Sequence, residues 1–238
     1  NGILYGTLNG GGAQGGGCLF SYDPNTGTLS SLHDFDISAF ASPSNSLTLS
    51  ASGNLIGACG FGGANNFGGI YEYDLTAGTM TFLVDFDEAI HGFFQGMPFY
   101  EVSTDVYYIM MRGGLSSFDG KILQYDGTSN QLSVVHDFTG APSDGTFPSS
   151  NLVLGSDGLL YGVTSSGGVN SGGTIYSIDP LTNTLAIVAS FPGVFDISTP
   201  SGLILYGPDG KLYGVSASGG PNFNGLVYSY DIDSGTFT

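Results

Sequence analysis

The chain contains few cations, few cysteines, no tryptophan and no long apolar run. Of its 238 residues only 3 are Lys or Arg, against 20 Asp and Glu, so the formal net charge is −17. A chain this acidic repels phosphate backbones and anionic lipids, which argues against nucleic-acid binding. No stretch reaches the roughly 18 consecutive apolar residues that indicate a membrane-spanning helix, so membrane insertion is not expected.

The two cysteines, Cys18 and Cys59, are too few for a structural zinc site, which usually takes four ligands. They lie in neighbouring repeats but at different positions of the repeat, so they are not a repeated ligand set. We expect two buried free thiols, with a single disulfide between the repeats as the alternative.

A repeat of about 52 residues dominates the chain. Three marks recur: a residue within a Leu-Tyr-Gly-like strand, an Asp that closes an aromatic strand, and a Phe after the next strand. The first set is Tyr5, Ile56, Tyr108, Tyr161 and Tyr213; the second is Asp23, Asp74, Asp126, Asp179 and Asp231; the third is Phe35, Phe86, Phe138 and Phe191. Successive marks are 51 to 53 residues apart. Marks in register indicate an array of equivalent supersecondary units.

Each repeat contains four short β-strand patterns bounded by turn residues, and no pattern typical of a helix. In the fourth repeat we expect strands at 150–154, 159–164 and 174–178. In the first repeat the turn Asp23-Pro24-Asn25-Thr26-Gly27 leads into a fourth strand at 28–35. Glycine is abundant, with 41 residues, and recurs at fixed turn positions rather than in a flexible linker.

Four antiparallel strands repeated about every 52 residues predict an all-β fold, a β-propeller with five four-stranded blades. A single such sheet has two apolar faces and can bury them only between two neighbours. The predicted units are 1–52, 53–104, 105–156, 157–208 and 209–238, forming one propeller over residues 1–238. A β-solenoid is the alternative, but its turns are usually much shorter.

The phase of the repeat leaves the first and last blades incomplete within the chain. The sequence starts in the second strand of one blade and stops in the fourth strand of another. Since Thr238 aligns with Ser30, the equivalents of residues 31–52 are missing. We expect continuing chain to close a ring; further repeats, or a strand donated by a neighbouring molecule, are the alternatives.

Residues 157–168, Asp-Gly-Leu-Leu-Tyr-Gly-Val-Thr-Ser-Ser-Gly-Gly, followed by Gly173-Thr174-Ile175-Tyr176, resemble the GloVer-type tandem repeat. The resemblance covers all five units and is weakest in the third, where Tyr107-Tyr108-Ile109 replaces Leu-Tyr-Gly. It implies large secreted bacterial proteins with propeller-forming repeats, an extracellular location and no known chemistry. The family supplies no catalytic residue.

Histidine beside aspartate invites comparison with a catalytic triad. His33-Asp34 and His136-Asp137 occupy equivalent positions, but in different repeats, and no serine has a nucleophile-elbow context. We therefore interpret these histidines, and the isolated His91, as residues at strand ends that contact solvent or a carbonyl. No catalytic residue is predicted.

Carboxylates after the fourth strand are the best candidates for a cation site. Asp34 and Asp36, and Asp85, Asp87 and Glu88, place acids on one side of an extended segment, where they could hold Ca²⁺. Their spacing is not that of an EF-hand, and we favour solvated acidic loops. No cofactor or metal ligand is predicted. The repeated Asp of the Tyr-Asp turns is expected to close an Asx turn.

Gly-Gly loops recur after the second strand and carry aromatic residues. The loops are Gly10-Gly11, Gly62-Gly63, Gly113-Gly114, Gly167-Gly168 and Gly219-Gly220. Neither a helix nor a lysine follows them, so they do not indicate phosphate binding. Phe61, Phe67 and Phe223 could stack on sugar rings, but capping of blade ends is the favoured interpretation. No pattern places two acids in one cleft, as glycoside hydrolysis would require.

The sequence favours a non-catalytic extracellular scaffold, a subunit of a surface filament, sheath or array that associates with itself or with other surface proteins. A lectin-like module that binds glycans is the first alternative, and a polysaccharide-active enzyme is the second. Propellers support all three functions, so the fold does not choose among them.

Overall fold

A computed structural model describes residues 2–91, 99–102, 105–113, 119–193 and 196–238. Regular structure in these ranges is almost entirely β-strand, arranged in five antiparallel sheets that follow one another along the chain. The predicted all-β class and the succession of small antiparallel sheets are therefore confirmed. Of the predicted Gly-Gly loops, only Gly114 falls outside the described residues.

The first two sheets are hydrogen-bonded in chain order. The first has three strands: β1 (Leu4–Leu8), β2 (Gly15–Asp23) and β3 (Thr28–Asp36). The second has four: β4 (Phe40–Leu49), β5 (Leu55–Gly62), β6 (Gly69–Asp74) and β7 (Thr79–Asp85). The first sheet thus lacks an equivalent of β4, as the phase of the repeat predicts.

The remaining sheets continue the pattern. The third contains β8 (Phe99–Val102), β9 (Val106–Met111), β10 (Lys121–Asp126) and β11 (Gln131–Asp137). The fourth contains β12 (Gly145–Pro148), β13 (Val153–Leu154), β14 (Leu160–Gly167), β15 (Thr174–Asp179) and β16 (Thr184–Ser190). The fifth contains β17 (Ile197–Tyr206), β18 (Lys211–Gly219), β19 (Leu226–Asp231) and β20 (Thr236–Phe237).

One helical turn, α1 (Glu88–His91), follows the second sheet, so the prediction of no helix is wrong at this point. Asp87 starts the turn because its carboxylate accepts the N–H groups of Ala89 and Ile90, in the manner of an N-cap. Among the described residues no helix is long and apolar enough to cross a membrane.

The strand predicted at 150–154 is only partly correct. Both β12 and β13 pair with β14, and the segment between them leaves the ladder. The reason is local: the hydroxyl oxygen of Ser150 accepts the N–H of Val163 at 2.9 Å, where a strand carbonyl would otherwise do so.

Backbone contacts group the chain into two compact units. The first is Asn1–Ile109 with Gln124–Ser133, and the second is Met110–Leu123 with Val134–Thr238. The prediction of one propeller over residues 1–238, with its five unit boundaries, stays a prediction.

Each unit buries apolar side chains between consecutive sheets. In the first unit, Leu19 and Phe35 of the first sheet pack with Leu55, Tyr71 and Tyr73 of the second. Because side chains alternate across a strand, the two faces of a sheet carry different sets of residues, and in each of these pairs one face packs against the neighbouring sheet.

The second unit repeats this arrangement. Tyr161, Val163 and Ile175 of the fourth sheet pack with Leu212 and Tyr228 of the fifth. The apolar core of each unit therefore lies between sheets and not within one of them.

Candidate functional site

The aspartate that ends the third strand of each repeat closes a turn. Its carboxylate accepts a backbone N–H two or three residues ahead in all five repeats. The pairs are Asp23 with Asn25, Asp74 with Thr76, Asp126 with Thr128, Asp179 with Leu181, and Asp231 with Ser234. Hydrogen bonds within these turns lower the pKa of Asp23, Asp126 and Asp231, because they stabilise the ionised carboxylate; for Asp126 the bonds from Ser129 contribute most. The predicted Asx turns are confirmed.

The carboxylates considered for Ca²⁺ hold loops instead. Asp34 accepts the N–H of Ala13, and Asp85 accepts the N–H of Ala64, each at 3.1 Å and each from the Gly-Gly loop of its own repeat. Asp36 accepts both the N–H and the hydroxyl of Ser38. The side chain of Glu88 lies outside the described set. Across the described ranges no three His, Cys, Asp or Glu side chains are grouped as metal ligands.

His136 pairs with Asp144 and not with the adjacent Asp137. Its Nε2 lies 3.0 Å from the Asp144 carboxylate, which also accepts the N–H and hydroxyl of Thr139 and the N–H of Gly145. Asp137 pairs with the buried Lys121. The Asp144 carboxylate is buried and fixes the 139–145 loop, so this pair has a structural role.

Among the described residues, His33 makes no ion pair like that of His136. Its ring meets the edge of Phe35 with centroids 5.0 Å apart, and burial lowers its pKa, partly offset by Asp34. His91 accepts the N–H of Asp87 through Nδ1 and completes the α1 turn. In the contacts described for His33, His91 and His136, none of the three histidines forms part of a catalytic triad.

Cys18 and Cys59 are both buried and free, which confirms the favoured interpretation over a disulfide. Burial raises the pKa of both thiols, and that of Cys59 strongly. A protonated, enclosed thiol is a poor nucleophile and a poor metal ligand.

A small polar cleft lies in the first unit, and no sequence pattern predicted it. It has a volume of about 130 Å³ and is lined by Glu72, Asp105, Tyr125 and Asn130, among others. Glu72 accepts the side-chain amide of Asn54 at 3.0 Å. The two acids come from different repeats, so only packing of one repeat on the next brings them to one cleft.

The remaining polar groups of the cleft also have partners. Asp105 accepts the N–H of Ala51 at 2.9 Å and the hydroxyl of Tyr107 at 2.8 Å. Tyr125 donates to Asn130 at 2.6 Å, and burial, followed by nearby carboxylates, raises its pKa to about 12. The cleft therefore holds a protonated phenol and two hydrogen-bonded carboxylates in a small volume.

The Gly-Gly loops expose some of their aromatic residues. Phe61 and Phe223 are largely exposed, whereas Phe67 is half-buried. Each of these two rings exposes well over half of its surface to solvent, and their capping of blade ends stays a prediction.

Several exposed apolar side chains lie together on the first and on the fifth sheets. On the fifth sheet, which we call the fifth-sheet face, they are Leu203, Leu205, Tyr213, Val215 and Val227. On the first sheet, the first-sheet face consists of Leu4, Leu8, Phe20 and Leu29. A groove of about 290 Å³ on this face is lined by Leu8, Cys18, Phe20, Leu29 and Ser31. Contiguous exposed apolar side chains often mark a surface that contacts another element or a partner.

The chain matches one protein family. A model of the Gloeobacter/Verrucomicrobia repeat matches residues 1–153 and again residues 100–238. The two matches overlap and together cover the chain. No curated protein matches it.

Solved structures are similar in fold over most of the chain. TolB from Acinetobacter baumannii has a TM-score of 0.61 at 16% identity. The match covers 100% of the present chain and 52% of the TolB chain. The extracellular domain of BT4673 from B. thetaiotaomicron has a TM-score of 0.60 at 14% identity. The match covers 95% of the present chain and 26% of the BT4673 chain. Oligogalacturonate lyase in complex with manganese has a TM-score of 0.60 at 14% identity. The match covers 94% of the present chain and 59% of the lyase chain.

These similarities show a propeller-like fold and nothing about activity, because the identities are so low. The chain also spans less than two thirds of the length of each of the three matched structures.

Proposed function

The chain belongs to the Gloeobacter/Verrucomicrobia repeat family, and we propose that it is a non-catalytic extracellular scaffold. In this proposal its five repeats are blades of a β-propeller, and the molecule is a subunit of a surface filament, sheath or array. Its partners are copies of itself or other surface proteins.

The five-bladed arrangement is supported by the five sheets at repeat spacing and by the propeller-like folds of the similar structures. Sheets that are apolar on both faces need neighbours on both sides, and radial packing supplies them. The extracellular location is proposed from the resemblance to secreted repeat proteins, and the low content of charged residues, 10%, is compatible with it.

A single observation supports the scaffold role: in this structure several apolar side chains of the first-sheet face and of the fifth-sheet face are exposed, and association with a partner would bury them. Val227 is 73% exposed, while Ile175, at the same position of the fourth sheet, is fully buried. Burying such surfaces is favourable by about 25 cal/mol per Å² of apolar area. Exposed apolar surfaces of this kind favour association with a partner over the monomeric state.

The absence of catalysis is proposed because the groups that could carry it are engaged elsewhere. His136 and Asp144 fix a loop, and Glu72 and Asp105 each accept hydrogen bonds from neighbouring residues. An active site in the small cleft would need an acid that can exchange a proton with a substrate.

Glycan binding is the second candidate, and the exposed rings of Phe61 and Phe223 favour it. Aromatic rings at the tips of loops are suited to stacking on the apolar face of a sugar. A glycan array separates the two functions: reproducible binding that Phe61→Ala and Phe223→Ala abolish supports a lectin.

The scaffold proposal is tested by negative-stain electron microscopy of the purified chain over a range of concentrations. Polymers or ordered arrays are expected. Discrete single particles under every condition would contradict the proposal.

A further inference from the structure

The last strand of the fourth sheet, β16, contains one residue too many for regular pairing with β15. Ile175 of β15 lies opposite Ala189. The next residue, Tyr176, lies opposite Ile187. Val188 therefore has no residue opposite it on β15, which is the definition of a β-bulge.

The same bulge occurs in the last strands of the first and second sheets. The extra residue is Leu32 in β3 and Leu83 in β7. Leu83 follows Leu32 by 51 residues, and Val188 follows Leu83 by 105, which is two repeats. The bulge is thus a feature of the repeat and not an irregularity of one sheet.

Contacts with the next sheet hold the bulge in place. Leu32 packs against the apolar core between the first and second sheets, and Val188 packs against the core between the fourth and fifth. Leu83 lines the small polar cleft together with residues of the third sheet. In each case the extra residue adds an apolar side chain to the space between two sheets.

The bulged strands are also the strands that end a sheet. The strands β3, β7, β11 and β16 each pair with a neighbour of their own sheet on one side only. We call the other side the last-strand edge; its N–H and C=O groups could bond to a strand of another molecule. Proteins commonly block such an edge with Lys or Pro. None of these four strands contains Lys, Arg or Pro.

Charge protects β16 least. The strands β3, β7 and β11 each contain an aspartate, whereas β16, Thr-Leu-Ala-Ile-Val-Ala-Ser, has no charged residue. A segment of about seven residues with high β propensity and neither charge nor proline is typical of strands that form cross-β assemblies. Protection of the last-strand edge of β16 therefore needs something other than charge.

A bulge interrupts the row of hydrogen-bonding groups along an edge. In β16 it separates two short regular stretches, Thr184–Ile187 and Ala189–Ser190. A strand of another molecule could follow only one of these stretches in register, because the bulge bends the strand between them. So short a pairing is only marginally stable in water.

We infer that the bulge at Leu32, Leu83 and Val188 keeps the last-strand edge of its sheet from pairing with a strand of another molecule, and that β16 depends on it most. This protection does not depend on the proposed scaffold function. If the chain is a scaffold, its copies associate through other surfaces than these edges.

The test removes the bulge from the full chain. Deletion of Val188 leaves β16 with regular pairing along its whole length. Val188→Ala is the matched control, because it removes most of the same side chain and keeps the bulge. Ala186→Lys, at an exposed position of β16, blocks the edge with a charge and is made both alone and together with the deletion. Circular dichroism and thermal melting establish which variants are folded.

Thioflavin T fluorescence and sedimentation velocity measure association through strand pairing. The deletion variant is expected to form dye-binding species heavier than the 24.5 kDa monomer. The wild type and Val188→Ala should form no species that bind the dye. Adding Ala186→Lys to the deletion should abolish the dye-binding species, because a lysine on the edge opposes pairing.

Two results would overturn this role of the bulge. The first is a folded deletion variant that binds no more dye than Val188→Ala. The second is a wild type whose own association is abolished by Ala186→Lys, because its edge then pairs despite the bulge. If the deletion prevents folding, this second comparison decides, and equal association of the wild type and Ala186→Lys supports the role. A wild type that stays monomeric contradicts the scaffold proposal alone.

Discussion

The ring of Tyr176 lies directly over Gly162, its partner on the neighbouring strand. A methyl group added at Gly162 would lie within 2.8 Å of the Tyr176 Cε2 atom. The same relationship joins Gly57 to Tyr71 and Gly214 to Tyr228. The glycine of the Leu-Tyr-Gly pattern is thus set by the aromatic ring that covers it, and not by a turn.

Replacing Gly162 with alanine is expected to destabilise the protein by about 1–3 kcal/mol, because the buried ring has no room to move. Urea unfolding followed by circular dichroism measures the change. Gly10 provides the control, since a methyl group there meets nothing within 4 Å and G10A should change stability little. Equal effects of the two substitutions would refute the steric explanation.

Tyr176→Phe is expected to leave stability unchanged or to raise it by about 1 kcal/mol. The Tyr176 hydroxyl is buried and has no hydrogen-bond partner among the described residues, so its removal ends a desolvation cost. Phe20 already occupies the equivalent position of the first repeat.

Tyr161→Phe is the matched comparison for that substitution. The Tyr161 hydroxyl donates to the Asp157 carboxylate at 2.6 Å, so its loss should cost roughly 1–2 kcal/mol. A Tyr176→Phe variant that loses as much stability as Tyr161→Phe would show that the Tyr176 hydroxyl has a partner, such as a bound water.

Removing the Asp144 carboxylate is expected to cost roughly 2–3 kcal/mol, because it leaves the donors of Thr139 and Gly145 unpaired. Thermal and urea unfolding of Asp144→Ala measure the loss. Asp233→Ala, at an exposed acid, should lie within about 0.5 kcal/mol of the wild type. A small effect at Asp144 would contradict its assignment as the group that fixes the 139–145 loop.

Stability should fall at alkaline pH. Burial and neighbouring carboxylates raise the pKa of Tyr125 to about 12, whereas an unfolded tyrosine ionises near pH 10. The folded state therefore keeps the Tyr125 proton to a higher pH than the unfolded state does. The stabilisation that this protonated phenol gives the folded state is fully present below about pH 10 and is lost between about pH 10 and 12.

Urea unfolding across this pH range, with tyrosinate absorbance to follow ionisation, tests the prediction. Tyr125→Phe should lose less stability than the wild type over the same interval. Buried Tyr71, Tyr176 and Tyr228, whose pKa values burial also raises, add to the wild-type loss and remain in the variant. If the free energy of unfolding falls equally steeply with pH in the wild type and in Tyr125→Phe, the role of Tyr125 is contradicted.

The parts of the molecule that depend on near neighbours were predictable from the sequence. Asp23 and its equivalents close turns with N–H groups two or three residues away, so the local pattern suffices. The spacing of the sheets likewise follows from the repeat. The α1 turn was missed because four residues are too few to show helical periodicity.

Features that depend on packing between repeats were not predictable. Glu72 and Asp105 meet in one cleft only because one repeat packs on the next. Val227 and Ile175 are alike in sequence context, yet one is exposed and the other buried. Nothing in a residue and its chain neighbours distinguishes a covered face from an uncovered one.

Because the first and second sheets meet through the same positions of the repeat as the fourth and fifth, recombination within the gene could add or delete a whole repeat of about 52 residues and keep this kind of contact. The outer surfaces of the shortened or lengthened product would still be of the same two types. The number of repeats in this family is therefore expected to evolve more readily than the sequence of any single repeat.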